Sequence, residues 1–294
     1  MKKILISILL LVPLLKSNCQ NMDSLLTSIT EDSIKYTTAT FKSTRIINGH
    51  SVERMKKGQL DFRIHHRFGQ INSGVRELFG LDQASTFFSL EYGINNRLMI
   101  GAGRSTYQKT YDGFLKYALL RQCKGKKNIP ITITLLSEID AYSTKWEVPD
   151  RKNYFSSRLS YAHQILVAKK FNEHFSFQLS PTLIHKNLVK EITDKNDLFS
   201  VGLGGRFKLT KRISLNSEYF YTVRPTISGK DKLPNSFSIG IDIETGGHVF
   251  QFLITNSLPM FERGFITETT GKWTKGGISL GFNISRVFNL NRTK

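Results

Sequence analysis

The chain has 294 residues, with 42 lysines and arginines against 23 aspartates and glutamates, so its formal net charge is +19. An excess of basic residues favours binding to anionic partners. No helix-turn-helix, zinc-finger or RNA-binding signature is present, so nucleic acid is not predicted as a partner. Only two cysteines occur, Cys19 and Cys123. With Cys19 in the N-terminal leader, the remainder has no cysteine pair for a disulfide or a cysteine-rich zinc site.

The N-terminus has the pattern of an export signal. Lys2 and Lys3 precede an apolar run over residues 4–15, and small or polar residues follow up to Cys19. The run is too short to cross a bilayer, and its charged flank is typical of a secretory signal peptide. We therefore predict a signal peptide at residues 1–19. Lys16 and Asn18 do not suit attachment of a lipid to Cys19, so a lipoprotein is not predicted.

Residues 20–58 form a separate N-terminal segment, which we predict to be either a lead-in or a plug. Residues 36–52 are rich in threonine and isoleucine and contain an Asn48-Gly49 turn signal. They fit an extra strand or a segment tucked into the mouth of the following domain. Insertion is attractive because Lys42 and Arg45 would then meet acidic side chains.

From residue 59 to residue 294, twelve stretches of alternating hydrophobicity are separated by loops. The last stretch is the clearest, because its apolar residues occupy one phase and its small or polar residues the other: Ile278, Leu280, Phe282, Ile284 and Phe288 against Gly277, Ser279, Gly281, Asn283 and Ser285. A period of two places one set on each face of a strand. Apolar residues outside and polar residues inside are typical of outer-membrane barrels. We predict an all-β fold, a single antiparallel up-and-down transmembrane β-barrel of about twelve strands.

The connections between these strands alternate in length. Short turns are predicted near residues 95–96, 172–173, 210–212 and 246–247, whereas most of the intervening connections have ten residues or more. Short turns at one end and long loops at the other are expected of a barrel in the outer membrane, with the turns in the periplasm. An even strand count then places both termini in the periplasm. A soluble sandwich, the alternative, has no reason for this alternation.

Several phrases of the sequence resemble a known family. They are TATFKSTRIINGHSVE (38–53), LDFRIHHRFG (60–69), YGINNRLMIGAGRS (92–105) and GFNISRVF (281–288). Together they resemble a family of exported β-barrels from Bacteroidota that is catalogued as a domain of unknown function. The resemblance covers nearly all of the chain after the leader and implies an outer-membrane or secreted barrel. The resemblance implies no particular reaction and no particular substrate.

The inward phase of the strands carries many charges of both signs. Our candidates for residues that line the lumen or pore are Asp61, Arg63, Arg67, Glu91, Asp112, Lys116, Glu138, Asp140, Arg158, Arg206, Glu218, Asp242 and Glu244. A twelve-stranded barrel is narrower than the sixteen- to eighteen-stranded porins that hold an open channel. Two interpretations stay open. The charges form a salt-bridged network that fills the lumen, or they line a narrow polar channel and set its selectivity.

No catalytic, cofactor or metal site is predicted. His163 falls in the outward phase of its strand, but no outward serine is evident in a neighbouring register, and the sequence has no GxSxG elbow. The pair His65-His66 and the histidines 174, 185 and 248 show no ligand spacing, because adjacent strand residues point to opposite faces. We therefore predict that the protein is not an enzyme and needs no cofactor.

The function predicted from the sequence is an outer-membrane barrel that serves as a narrow channel or carrier for small solutes. Its partners are outer-membrane lipid and the solutes themselves, and no oligomeric state is predicted. One alternative is a barrel that transports nothing and binds a partner through extracellular loops at 69–83, 141–156, 224–235 and 257–275. The other is an enzyme that modifies lipids.

Overall fold

The computed structural model describes residues 33–290 except 190, 192 and 225–232. The predicted signal peptide, the adjoining residues 20–32 and most of the loop 224–235 lie outside the described residues. Within the described part, twelve strands close into one antiparallel barrel. The predicted fold class, an all-β barrel of about twelve strands, is therefore confirmed.

The described residues form fourteen strands and one short α-helix. Two strands lie outside the barrel, β1 (Ile34–Tyr36) and β6 (Cys123–Gly125), and they pair with each other. The helix α1 spans Glu262–Thr267. The barrel strands are β2 (Gln59–Gln70), β3 (Ala84–Gly93), β4 (Leu98–Ser105), β5 (Tyr111–Leu120), β7 (Thr132–Ala141), β8 (Leu159–Lys170), β9 (Phe175–Lys186), β10 (Asp197–Lys208), β11 (Ile213–Val223), β12 (Ser236–Thr245), β13 (His248–Thr255) and β14 (Ser279–Asn289).

Every barrel strand pairs with its neighbours in sequence, and β14 closes the barrel by pairing with β2. In that closing register Ile284 lies opposite Ile64, and both belong to the outward apolar phase. Because each barrel strand pairs on both sides, no free strand edge is left among the described strands, and no backbone groups at such an edge would need another partner.

The two ends of the barrel differ in their connections. One end, here called the short-turn end, carries the turns 94–97, 171–174, 209–212 and 246–247 together with the segment that contains β6. The other, the long-loop end, carries longer loops, of which 256–278 is the longest. The connection 106–110 between β4 and β5 is short although it belongs to the long-loop end.

The hydrophobic core lies inside the barrel. One buried cluster joins Phe41, Ile46, Ile47 and Val52 of the N-terminal segment to inward side chains of the wall such as Phe114 and Leu136. A second cluster joins Phe265 and Ile266 of α1 to Phe220 and other wall residues. The outward side chains are exposed apolar residues, as a lipid-facing surface requires. Among the described residues, no helix is both long and apolar enough to span a bilayer.

Inward glycines leave room for inward aromatic rings. Gly101 pairs with Phe114 across β4 and β5, and a Cβ atom at residue 101 would lie 2.4 Å from two atoms of that ring. We expect Gly101→Ala to push the ring aside and lower the free energy of unfolding by about 1–3 kcal/mol, the usual cost of overpacking. Urea unfolding followed by heat-modifiable gel mobility measures this loss.

The matched control for this substitution is Gly113→Ala. Gly113 lies on the neighbouring strand β5, and a Cβ atom there would approach no other atom more closely than 3.9 Å. Its unfolding midpoint should stay close to that of the wild type. Equal destabilisation by both substitutions would mean that strand propensity, rather than the Phe114 ring, sets the cost.

Candidate functional site

The N-terminal segment enters the barrel from the short-turn end and turns back inside it. Residues 40–53, here called the inserted hairpin, carry an antiparallel bridge between Arg45 and His50. The backbone N–H of Ile46 donates to the Gly49 carbonyl at 2.8 Å, which closes the turn at Asn48-Gly49. At the base of the hairpin, Glu53 Oε1 accepts the backbone N–H of Thr40 at 2.7 Å. The hairpin is therefore a compact unit whose two ends lie close together.

One wall carboxylate holds the tip of the inserted hairpin. Glu218 on β11 accepts the backbone N–H groups of Ile47, Asn48 and Gly49 at 3.2, 2.9 and 3.1 Å. A Cβ atom at residue 49 would lie 2.8 Å from the Phe220 ring, so glycine permits this close approach. Three donors on one buried carboxylate satisfy backbone groups that the turn leaves without a partner of their own.

An ammonium group from another strand satisfies carbonyl oxygens of the same hairpin. Lys116 on β5 donates to the carbonyls of Thr44, Ser51 and Glu53 at 3.0, 3.1 and 3.2 Å. Since Thr44 and Ser51 belong to opposite arms of the hairpin, a single side chain ties both arms to the wall.

Three wall amides complete the recognition of the hairpin backbone. Gln178 on β9 accepts the N–H of Val52 at 2.9 Å, and its own NH2 group donates to the His50 carbonyl at 2.8 Å. Gln251 on β13 and Asn283 on β14 donate to the carbonyls of Ile46 and Ile47, respectively. Wall strands all round the barrel thus contact the hairpin, which occupies the middle of the lumen.

A second insertion reaches the lumen from the long-loop end. Within the loop 256–278, all of α1 is buried, as are the residues that lead into it, among them Pro259, Met260 and Phe261. The Phe265 ring packs edge-on against Phe220 with centroids 5.0 Å apart. The alternative function placed residues 257–275 among extracellular loops that bind a partner, whereas the central part of this loop packs inside the barrel, where its apolar side chains are buried.

The inserted loop and the inserted hairpin meet in the middle of the lumen. Arg45 of the hairpin donates to Glu262 of α1 at 3.5 Å and to Glu91 of β3 at 3.5 Å. Its guanidinium group also lies 5.6 Å and 5.8 Å from the centroids of the Phe87 and Phe114 rings. Arg45 thus joins the two insertions and the wall in one contact network.

Most of the lumen-lining candidates lie buried inside the barrel. Eleven of the thirteen are buried, and they are Asp61, Arg63, Arg67, Glu91, Asp112, Lys116, Glu138, Asp140, Arg206, Glu218 and Asp242. Several of them contact the insertions directly. Arg67 donates to Asn48 Oδ1 at 2.8 Å, and Arg206 donates to the Ala39 carbonyl at 2.8 Å. Their role as the lining of a pore stays a prediction.

The two remaining candidates lie at the rims. Glu244 sits near the short-turn end of β12 with 42% of its side chain exposed, and it pairs with Lys42. Arg158 belongs to the 3-10 helix Phe155–Arg158, just before β8, rather than to the strand itself. Its guanidinium group stacks 3.8 Å from the centroid of the Trp146 ring. That stacking and two bonds to loop carbonyls keep Arg158 at the mouth of the barrel.

Ion pairs anchor α1 and the residue that follows it, Glu268, to the barrel wall. Arg263 donates to Asp140 on β7 at 2.7 Å and to Glu268 at 2.5 Å, and Glu268 also accepts from Lys186 at 3.1 Å. Burial raises the pKa of the Glu268 carboxyl, but Arg263 and Lys186 lower it by more, so its pKa lies below the ordinary 4.5. The carboxylate is therefore charged at neutral pH and contributes to holding the loop.

This pKa shift predicts a dependence on pH. Because the pKa of Glu268 is lower in the folded state than in the unfolded state, its stabilising contribution is present above pH 4.5 and is lost as the pH falls through the folded value. We expect Trp273, in the same loop, to shift its emission to the red below pH 4.5 in a Trp146→Phe background. In Glu268→Gln the emission should already be shifted at pH 7 and should respond less to acid.

The lipid-facing side carries one hydrogen bond that the sequence analysis missed. No outward serine was evident beside His163, yet Ser137 lies directly opposite it across β7 and β8, with 3.0 Å between Ser137 Oγ and His163 Nδ1. A nucleophilic serine needs a base that a third group orients, together with donors for an oxyanion. The described residues give the His163 ring no second hydrogen-bond partner. The pair forms a cross-strand contact between β7 and β8.

The membrane-facing shell and the filled interior together define a membrane-bound β-barrel. Residues 41–288 match the family described as "Membrane bound beta barrel domain (DUF5777)", and the chain belongs to that family. The resemblance to a barrel family of unknown function is confirmed at this level, and an origin in Bacteroidota stays a prediction.

Solved structures of other barrels are similar to this chain. The NanC porin matches 78% of this chain and 98% of its own, at 8% identity and a TM-score of 0.48. The KdgM porin matches 78% of this chain and 99% of its own chain, at 8% identity and a TM-score of 0.47. An outer-membrane channel from Pseudomonas putida F1 matches 81% of this chain and 98% of its own chain, at 15% identity and a TM-score of 0.48. No curated protein matches the chain.

Proposed function

We propose that this protein is an outer-membrane barrel that lets small polar solutes pass when the inserted hairpin leaves its lumen. The short-turn end then faces the periplasm, as is usual for such barrels. In the resting state the hairpin closes the path. The observation that carries the proposal is the set of directional hydrogen bonds by which wall side chains, Glu218 and Lys116 above all, hold the hairpin backbone.

The way in which the hairpin is held favours a reversible closure. It adds no strand to the barrel sheet, so its departure would leave the wall and its backbone hydrogen bonds intact. The wall side chains that hydrogen-bond to the hairpin are charged groups or amides. When the hairpin leaves, water can hydrogen-bond to these side chains instead. Once wet, the same groups would line a polar path that suits charged or hydroxylated solutes.

Glu218→Ala tests this proposal. The substitution removes the acceptor for three backbone donors, and hydrogen bonds to a charged group contribute about 1.5–3 kcal/mol each. Loss of even about 3 kcal/mol would shift the ratio of closed to open barrels by roughly 100-fold. We expect liposomes with Glu218→Ala to admit small neutral and charged solutes at least several times faster than liposomes with the wild type.

The matched control is Ser214→Ala on the same strand. Ser214 is buried on the inward face of β11, and its hydroxyl has no hydrogen-bond partner among the described residues. Its liposomes should admit solutes at the wild-type rate. A folded Glu218→Ala barrel with wild-type permeation would contradict the proposal that the hairpin controls passage.

A further inference from the structure

Three potential metal-binding side chains converge where the two insertions touch the wall. His50 comes from the inserted hairpin, Glu138 from β7 and Glu262 from α1, and all three are fully buried. His50 Nε2 lies 3.6 Å from Glu262 Oε1 and 3.9 Å from Glu138 Oε2. One candidate ligand atom from each residue lies within 4.8 Å of the others. The three parts of the chain are far apart in sequence, so no spacing motif reveals the cluster.

Each carboxylate uses one oxygen for positioning and directs the other at His50. Glu138 Oε1 accepts the backbone N–H of Glu262 at 3.3 Å, and Glu262 Oε2 accepts from Arg45 at 3.5 Å. Among the described residues, the other oxygens, Glu138 Oε2 and Glu262 Oε1, have no hydrogen-bond partner, and neither has either ring nitrogen of His50. Partners that orient the ligands in this way are typical of metal sites, whereas buried polar atoms without a partner are otherwise rare.

The neighbouring cationic side chains leave these oxygens without a partner. Arg45 donates to Glu262 Oε2 and to Glu91, so it does not satisfy Glu262 Oε1. Among the described residues, Glu138 forms no ion pair with an arginine or lysine, and both oxygens of Asp112 also lack a hydrogen-bond partner. A buried carboxylate oxygen without a partner is costly, so a bound cation would stabilise this region.

We propose that His50, Glu138 and Glu262 bind one divalent transition-metal ion of the zinc class. One imidazole nitrogen and two carboxylate oxygens form a set that Zn²⁺ accepts, whereas calcium and magnesium prefer oxygen ligands alone. Ligand atoms about 2.0–2.2 Å from a tetrahedral zinc ion lie roughly 3.3–3.6 Å apart. The distances of 3.6 and 3.9 Å from His50 Nε2 need only a small contraction to reach that spacing.

Such an ion would tie the hairpin, the wall and the inserted loop together at one point. It would therefore favour the closed lumen, and its removal would loosen both insertions. The competing arrangement is a proton shared between Glu138 and Glu262, with His50 neutral and uncoordinated. The two arrangements differ in whether the folded barrel retains a stoichiometric metal ion.

The test is the metal content of the refolded full chain after exposure to Zn²⁺ and exhaustive dialysis. We expect one zinc ion per chain in the wild type. His50→Ala should weaken zinc binding by at least about 100-fold, since even residues that only support ligands account for 10–100-fold. His65→Ala is the matched control and should retain the ion. His65 is an equally buried inward histidine whose ring nitrogens also lack partners within the described part of the chain.

A measurement on the wild type removes any dependence on whether a variant folds. Co²⁺ in place of Zn²⁺ should give the visible absorption bands of a four-coordinate site, and excess Zn²⁺ should abolish them. Glu262→Gln should weaken the bands. A folded wild type that retains no zinc and gives no such bands would overturn the proposal in favour of the shared proton. Equal retention of zinc by His50→Ala would overturn it as well.

Discussion

Replacement of residues 41–52 by a short glycine-serine linker is expected to convert a mostly silent barrel into a conducting one. Thr40 and Glu53 already lie in contact at the base of the hairpin, so a short linker can join the two ends without strain. The change removes the buried backbone of the hairpin from the lumen and leaves the β2 strand at its present start. Planar-bilayer recordings should show discrete steps that are rare or absent in the wild type.

A second variant distinguishes the two insertions. The inserted loop stays in place when the hairpin is replaced, and a further deletion of residues 258–268 should enlarge the steps. Heat-modifiable gel mobility establishes that each variant has folded. If the variant without the hairpin stays silent and only the double variant conducts, the loop alone closes the barrel and the hairpin is not its gate.

Lys116→Met is expected to detach the hairpin while preserving the volume of the wall side chain. Three buried carbonyl groups would lose their shared donor, and a buried group without a partner costs about 1–3 kcal/mol. The amides of residues 44–53 should then exchange hydrogen much faster. Hydrogen exchange followed by mass spectrometry on peptides from residues 40–58 measures this change directly.

Lys170→Met provides the control for this prediction. Lys170 also donates to a carbonyl of the N-terminal segment, that of Thr38, at 3.3 Å, and it pairs with Glu173. Both contacts lie at the exposed mouth of the barrel, where ion pairs contribute about 0–1 kcal/mol. Exchange in residues 44–53 should therefore change little. If both substitutions accelerated hydrogen exchange in residues 44–53 to a similar extent, the hydrogen bonds of Lys116 would not be what keeps the hairpin in the lumen.

The alternation of hydrophobicity was sufficient to predict the wall of this protein. The face of the strand on which a residue lies follows from the alternation of its neighbours in sequence. The inward position of residues such as Glu91 and Glu218 could therefore be derived without knowledge of which strands pair. Arg158 differs because the strand begins one residue later than the alternation suggested, at Leu159. Stacking on Trp146, a loop residue, decides its position, and no strand periodicity reports such a contact.

The contents of the lumen could not be predicted in the same way. Residues 36–52 had the composition of a strand, and the hydrogen bonds of Glu218 and Lys116 to the hairpin join residues far apart in the chain. The Ser137–His163 contact depends on the register of β7 against β8, which the alternation of hydrophobicity does not reveal. The sequence offered two signals. The Asn48-Gly49 turn forms the tip of the hairpin, and the cations Lys42 and Arg45 meet acidic side chains of the barrel wall.

The central claim is that the inserted hairpin occupies the lumen of the resting barrel, and cysteine labelling tests it most directly. In a Cys123→Ser background, Ile47→Cys places a thiol at a position with 0% exposure, and Lys56→Cys places one at an exposed position on the same segment. A membrane-impermeant maleimide should label residue 56 readily and residue 47 orders of magnitude more slowly. Equally fast labelling of both positions in the folded barrel would contradict the account.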